Sequence, residues 1–239
     1  MNKIFNDDCI KFDIEKCLNG KLLDAIITDP PYNISKENRF ISLGRKGVDF
    51  GEWDKNFNSK DWIIKYAPFV KNGGSVIVFC AWRQISEIII TFEELDFEFK
   101  DTIRWIKTNP MPRNPERRYV SDIETAVWLV KNGAKWTFNK QNETPYLRPE
   151  FTTPKLSGLE RTEHPTQKPL SLISQIIQIH TNENDIVLDP FVGSGTIALA
   201  SLINNRKFIA IEKEKNYYEL AKNRIEKEQF ENLFLGIEA

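Results

Sequence analysis

Short apolar, β-rich runs alternate along this chain with stretches of helical periodicity, which is the pattern of a parallel sheet covered by helices. Leu22-Leu23-Asp24-Ala25-Ile26-Ile27 reads as a buried strand stopped by Asp29-Pro30-Pro31, because proline cannot continue a central ladder. A second strand, Ser75–Phe79, follows the turn Asn72-Gly73-Gly74; Ile186–Leu188 and Phe208–Ile211 give a third and a fourth. Thr196 to Leu202 suits a crossover helix between the latter two. Leu170, Ile173, Ile176 and Ile177 form an apolar helical stripe opened by Pro169, and Tyr218, Ala221 and Ile225 mark one face of a charged C-terminal helix. Phe99–Ile106 and Ile123–Val130 read as an antiparallel edge hairpin. The fold class expected is therefore α/β, in one domain spanning 1–239.

Composition narrows the function. With 41% hydrophobic residues and a formal charge of −1, the 239 residues can bury a core, and a uniformly basic coat is excluded. A local basic face remains available, since Arg104 to Arg148 carries nine Lys/Arg against four Asp/Glu. Three cysteines with no metal-ligand spacing predict a reduced, cytoplasmic protein, and two histidines cannot make a zinc site alone. No apolar run is long enough to span a membrane. Neither metal nor membrane is expected.

Three motifs carry chemistry. Asp189-Pro190-Phe191-Val192-Gly193-Ser194-Gly195-Thr196 follows a strand and opens a helix, so its backbone can approach a ligand closely. Glu212 ends the next strand, at the distance where a carboxylate grips ribose hydroxyls. Together they suit a nucleoside cofactor, although a glycine turn beside a surface glutamate reads equally well. The motif lacks the Gly-Lys-Ser/Thr of a phosphate loop and the Gly-x-Ser-x-Gly of a hydrolase elbow. Asp29-Pro30-Pro31-Tyr32, at another strand end, offers a carboxylate and a free carbonyl to an amino group and a ring to a flat one. His164-Pro165-Thr166-Gln167-Lys168-Pro169 precedes a helix whose N-terminus favours anions. By itself it reads better as an ordinary proline-capped helix start.

In this order the motifs resemble the beta group of bacterial DNA amino-methyltransferases, over nearly the whole chain. The resemblance implies a Rossmann-like methyltransferase sheet with the catalytic motif before the cofactor motif, S-adenosylmethionine as methyl donor, and a base flipped from duplex DNA. It assigns Asp29, Pro30, Pro31 and Tyr32 to the catalytic pocket. Asp189, Phe191, Gly193, Ser194, Gly195 and Thr196 go to the cofactor, with Asp29 beside it. Glu212 goes to the ribose, Asp8 with Cys9 to the adenine of the cofactor, and Thr166 with Lys168 to its methionine end. Two departures stand out: Asp7 doubles the acid beside Asp8, and Ile197 replaces a second threonine. In that group an aspartate in first position accompanies adenine, whereas serine is commoner with cytosine.

The expected reaction is methylation of the adenine 6-amino group in a short DNA site of a restriction–modification system. The alternatives are cytosine 4-amino methylation, a related amine in RNA or a protein amide, and a non-catalytic DNA-binding regulator. Arg113, Arg117, Arg118 and Tyr119 are expected to touch DNA. So is a mobile loop from Asn33 to Lys60 carrying Arg39, Arg45 and Lys46. Lys131 to Glu163 is the expected target-recognition segment. A homodimer and a cognate endonuclease encoded nearby are the protein partners the resemblance implies.

Overall fold

In a computed structural model of the chain, the residues described are 1–33, 57–112, 115–140, 145–156 and 158–235. They contain one eight-stranded sheet in the order β1-β8-β7-β2-β3-β5-β4-β6. Its strands are β1 (Lys3–Asn6), β2 (Leu23–Thr28), β3 (Val70–Cys80), β4 (Phe97–Lys107), β5 (Ile123–Lys131), β6 (Glu150–Thr153), β7 (Ile186–Asp189) and β8 (Lys207–Glu212). All pairings are parallel except those of β5, which runs against both β3 and β4.

The antiparallel hairpin forms as expected, but its place differs. β5 is inserted between β3 and β4, and the edge belongs to β6, which runs beside β4. The second strand also begins earlier than its apolar run. β3 opens at Val70, and its register against β2 shifts between Leu23 and Ala25, where Gly73 at φ +74° and Gly74 let the backbone bulge.

The helices are α1 (Ile14–Leu18), α2 (Ser59–Tyr66), α3 (Ile85–Glu93), α4 (Leu170–His180), α5 (Thr196–Ile203) and α6 (Lys215–Leu235). Because successive residues of a strand face opposite sides, β2 feeds two cores at once. Leu23 and Ile26 pack with Trp62, Ile63 and Phe92 of α2 and α3. Ala25 and Ile27 pack with Leu172, Ile173 and Ile176 of α4. α6 closes a third cluster, setting Ala221 and Ile225 against Ala198, Phe208 and Ala210.

Strand order reverses between β7 and β2, since the chain proceeds outward from β7 through β8 and from β2 through β3. In an open parallel sheet, ligands bind beyond the carboxyl ends of strands at such a switch point. The two motifs that begin with aspartate follow these two strands, Asp29 directly after β2 and Asp189 as the last residue of β7.

Candidate active site

The glycine loop leaves β7 at Asp189. Oδ1 of that buried carboxylate accepts from Thr28 Oγ1 at 2.8 Å and from the Phe191 N–H at 3.2 Å. Its other oxygen is buried without a hydrogen-bond partner. Burial pushes the group up to about 7. Phe191 packs edge-on against Phe57 and Trp62, fastening the loop to the α2 layer. Gly193 takes φ +48°, and a Cβ there would stand 2.9 Å from His164 Nε2. Gly195, at φ +80°, faces Ala221 of α6 (a Cβ would lie 2.8 Å from the Ala221 Cβ), so its smallness serves packing. Ser194 and Thr196 hydroxyls lie 3.1 Å apart. Arg224 of α6 donates to the Ser194 carbonyl at 2.5 Å, pinning the loop from behind.

Glu212, at the end of β8, holds the loop from the other side. One carboxylate oxygen accepts the Gly193 N–H and the other the Glu214 N–H, each at 2.8 Å. Asp8 follows β1, the neighbour of β8, and accepts the Ile10 N–H at 3.0 Å while pairing with Lys213 at 3.1 Å. Burial works to raise the Asp8 pKa, but the Ile10 N–H and Lys213 outweigh it and keep it below the usual carboxylate range. The adjacent Cys9 is a buried thiol pushed up to about 12 by burial, so it is no nucleophile at neutral pH.

Asp29 begins directly beyond β2. Tyr32 OH donates to Asp29 Oδ1 at 2.5 Å, and Lys168 Nζ bonds Asp29 Oδ2. The same ammonium lies 3.2 Å from Glu124 Oε2 and 3.4 Å from Tyr32 OH. Lys107 Nζ takes the remaining Glu124 oxygen at 2.5 Å. Two carboxylates and two ammonium groups thus form one half-buried, neutral chain around the buried Lys168, the arrangement that makes its buried charge tolerable. Burial opposes the Lys168 charge, but Asp29 and Glu124 outweigh it and raise its pKa. Burial likewise works to raise Glu124, yet Lys168 and Lys107 hold it below its ordinary value. For Asp29 burial wins, and the pKa is raised against the pull of Lys168. Gln84, just before α3, donates to the Pro31 carbonyl at 3.2 Å and buttresses the motif from below.

Both motifs open into one cleft of about 1170 Å³, enough for a nucleoside cofactor together with a nucleotide. Asp8, Cys9, Pro30, Thr166 and Thr196 also line it. Lys168, expected at the methionine end of a cofactor, has its ammonium engaged instead by Asp29 and Glu124. The N-terminus of α4 is already served, because Glu160 Oε1 accepts the Leu170 N–H at 2.7 Å.

Arg118 and Tyr119 stand at the cleft, with Tyr119 fully exposed, and Arg117 is exposed beside them. Arg39, Arg45, Lys46 and Arg113 lie outside the described residues, as does most of the expected Asn33–Lys60 loop. The segment Lys131 to Glu163 is not one surface. Asn139 bonds the Ile179 and Gln178 carbonyls at the far end of α4, and Phe138 stacks on Trp128, away from the cleft. The chain then climbs through β6, and only beyond it do Lys155 and Arg161 reach the cleft. Among the described residues, no cluster of His, Cys, Asp and Glu could hold a metal, and no helix is long and apolar enough to cross a membrane.

A family model described as DNA methylase matches residues 23–223, a span that contains both β2 and β7 with the motifs that follow them. The chain belongs to the DNA methylase family. Type II methyltransferase M2.DpnII of Streptococcus pneumoniae is 34% identical over 96% of the chain and 91% of its own length. M2.MboI of Moraxella bovis is 32% identical over 92% and 86%. The crystal structure of an M1.HpyAVI–SAM complex is similar at a TM-score of 0.77, with 47% identity, 93% of this chain covered and 98% of that one. At 18% identity and a TM-score of 0.69, the cytosine-N4-specific PvuII methyltransferase shares the fold. The expected methyltransferase architecture, with its motif order, is thereby established.

Sequence reasoning did not single out four residues of this DNA methylase: Glu124, Lys107, Gln84 and Arg224. Gln84, Arg224 and Glu124 contact the motifs from elements remote in the chain, and Lys107 joins them through Glu124. Glu124 carried a faint signal, as an acid next to the buried run Ala126–Val130 of β5.

Proposed function

We propose that this DNA methylase transfers a methyl group from S-adenosylmethionine to the 6-amino group of adenine flipped from a short duplex DNA site. The observation that carries the reading is the side-by-side ending of β2 and β7, which turns Asp29 and Asp189 into one cleft. Their residues fit the donor. The orphaned, buried oxygen of Asp189 lacks a cation, which the α-ammonium of an amino acid supplies. Glu212 has lone pairs left for ribose hydroxyls, and Asp8 and Cys9 flank the same end of the cleft. When bound, S-adenosylmethionine supplies an electrophilic methyl carbon on a sulfonium, which needs no metal.

The chain contributes alignment. An exocyclic amine is a weak nucleophile because its lone pair is delocalised into the ring. Asp29 and the Pro30 carbonyl accept its two N–H bonds, aim the lone pair, and stabilise the positive charge that develops on nitrogen as the C–N bond forms and the C–S bond breaks to leave the neutral thioether. The extra proton then leaves the nitrogen through Asp29 to solvent. Positioning of this kind lowers barriers by about 7–11 kcal/mol in favourable intramolecular cases. Tyr32 stacks on the extruded base, offsetting part of the few kcal/mol of unstacking.

Duplex DNA meets the mouth of the cleft along 108–122 and 154–163, where Arg117, Arg118, Tyr119, Lys155 and Arg161 lie. Arg39, Arg45, Lys46 and Arg113, which lie outside the described residues, are DNA contacts in this reading as well. One methyltransferase domain, 1–239, works in the cytoplasm, where its three free thiols stay reduced. A second copy and an endonuclease that cuts the same site are its protein partners.

Nucleoside mass spectrometry of DNA incubated with the protein and S-adenosylmethionine tests this directly. N6-methyladenine is expected; N4-methylcytosine alone would reassign the base. Methylation unchanged in Asp29→Ala would remove the catalytic role given to Asp29.

A further inference from the structure

Glu124 has no place in the reaction as derived so far, yet it sits behind the amine acceptor. It reaches Asp29 only through Lys168, whose ammonium it shares with Asp29. The Lys168 side chain is 4% exposed, so few waters compete for that ammonium, and its position is set by the carboxylates on either side. Lys107 anchors the far side of Glu124 from β4. The four groups come from four separate places: the loop after β2, the loop before α4, β5 and β4. Nothing in the local sequence forces them together, and a buried charge cluster unrelated to function is often matched or bettered by apolar residues of the same volume.

We propose that Glu124 is a positioning residue for methyl transfer: by holding one side of the Lys168 ammonium, it leaves the Asp29 carboxylate enough accepting capacity for the target amine. This rests on reading Asp29 as the acceptor of that amine. The physical argument is competition. An ammonium with one carboxylate neighbour gives its hydrogen bonds and full field to that carboxylate, whereas one held between two divides them. Without Glu124, Lys168 would settle on Asp29 alone. Asp29 would then be the weaker acceptor toward the amine, and less able to stabilise positive charge growing on nitrogen.

The inference makes an electrostatic demand with a definite sign. Asp29 is faced by Tyr32 of its own motif, Lys168, Glu124 from β5, Cys80 at the end of β3 and Asp189 at the end of β7; His164 faces Lys168. Within this set Glu124 raises the Asp29 pKa and Lys168 lowers it. Removing the Glu124 charge therefore lets Lys168 hold Asp29 ionised to lower pH. Removing Lys107 takes a positive charge from the far end of the chain, and so acts in the opposite direction.

The test is the pH profile of single-turnover methylation, measured on saturated duplex DNA for the wild type, Glu124→Gln and Lys107→Met. Calorimetric binding of S-adenosylhomocysteine is measured alongside. Glu124→Gln is expected to bind the cofactor product as the wild type does and to lose about tenfold or more in the chemical step. Its acid limb should move to lower pH, while that of Lys107→Met stays or moves to higher pH. Lys168→Arg, which keeps the charge, should retain more activity than Lys168→Met. Coincident profiles for Glu124→Gln and the wild type would overturn the proposal. Loss of S-adenosylhomocysteine binding in Glu124→Gln would overturn it too, by making Glu124 a structural residue. Failure of the underlying reading looks different: Asp29→Asn would methylate normally, whatever Glu124→Gln did.

Discussion

Thr28 Oγ1 donates to Asp189 Oδ1 at 2.8 Å, joining the last residue of β2 to the last residue of β7 across 161 positions of sequence. Added to the parallel pairing of Ala25 with Val187 and Ile26 with Leu188, this bond ties the end of the strand that presents the catalytic motif to the end of the strand that presents the glycine loop. Thr28→Val keeps the shape and deletes the donor. Leaving a buried carboxylate short of a partner costs about 1–3 kcal/mol. Thermal unfolding should report that loss, and calorimetry a weaker S-adenosylmethionine complex. Wild-type values for both would show that the strands are registered by packing alone.

Gly193→Val should abolish cofactor binding. The backbone at φ +48° strains any β-branched residue, and the first added carbon would already stand 2.9 Å from the His164 ring. His164→Ala in the same chain relieves the contact but not the strain, so binding should return only in part. Binding of wild-type strength in the single variant would refute the close approach.

Asp189 trades stability for binding. Its folded pKa of about 7 lies above the ordinary carboxylate value because of burial. The folded state thus keeps a proton that the unfolded chain has released between about pH 4 and 7. Its contribution is fully present below that window and is lost as pH rises through 7. Asp189→Asn should therefore raise the melting temperature most at pH 8, clearly less at pH 5 and little at pH 4, while weakening cofactor binding. Equal shifts at the three pH values would contradict the assignment.

His180 works in the opposite sense. Burial between Trp128 and Phe138 lowers its pKa to about 3, so the unfolded chain takes up a proton first as pH falls below about 6.5. Stability is lost from there toward pH 3. His180→Phe, which keeps a ring in the slot, should lose less stability between pH 7 and 5 than the wild type. A parallel decline of both proteins would mean that the imidazole stays protonated in the fold.

Arg117→Ala with Arg118→Ala should weaken DNA binding and flatten its salt dependence by about 2 in log–log slope if both arginines neutralise phosphates. An unaltered slope would move the DNA surface elsewhere.

The strands and helices that were legible in the sequence are those that bury apolar runs. β2, β7, β8, α4 and α5 announce themselves because both faces of the sheet are covered. β6 does not, since Glu150–Thr153 is short and polar, and it is held at the edge by backbone pairing and by partners on β4, Arg104 for Glu150 and Trp105 for Thr153, that are remote in the chain. The motifs located the cleft, but not what stands behind it. Lys168 reads as an anion holder before a helix until β5 brings Glu124 beside it, and that contact arises from sheet order rather than from local sequence. Likewise Lys131–Lys140 reads as surface chain, polar with scattered aromatics. The structure spends Phe138 on the Trp128–His180 pair near the end of α4, and sets Trp136 under the Lys100 ammonium at 4.0 Å.

The side chain of Asn33 accepts the Phe57 N–H at 2.8 Å and donates to the Phe57 carbonyl at 2.7 Å, so it mimics one rung of a ladder. This clasp closes the chain one residue past Tyr32 and hands it straight to α2. The two ends of this clasp, Asn33 and Phe57, are thereby held at a fixed separation, so the tetrad and the start of α2 are tied to one another by a side chain as well as by the core beneath them.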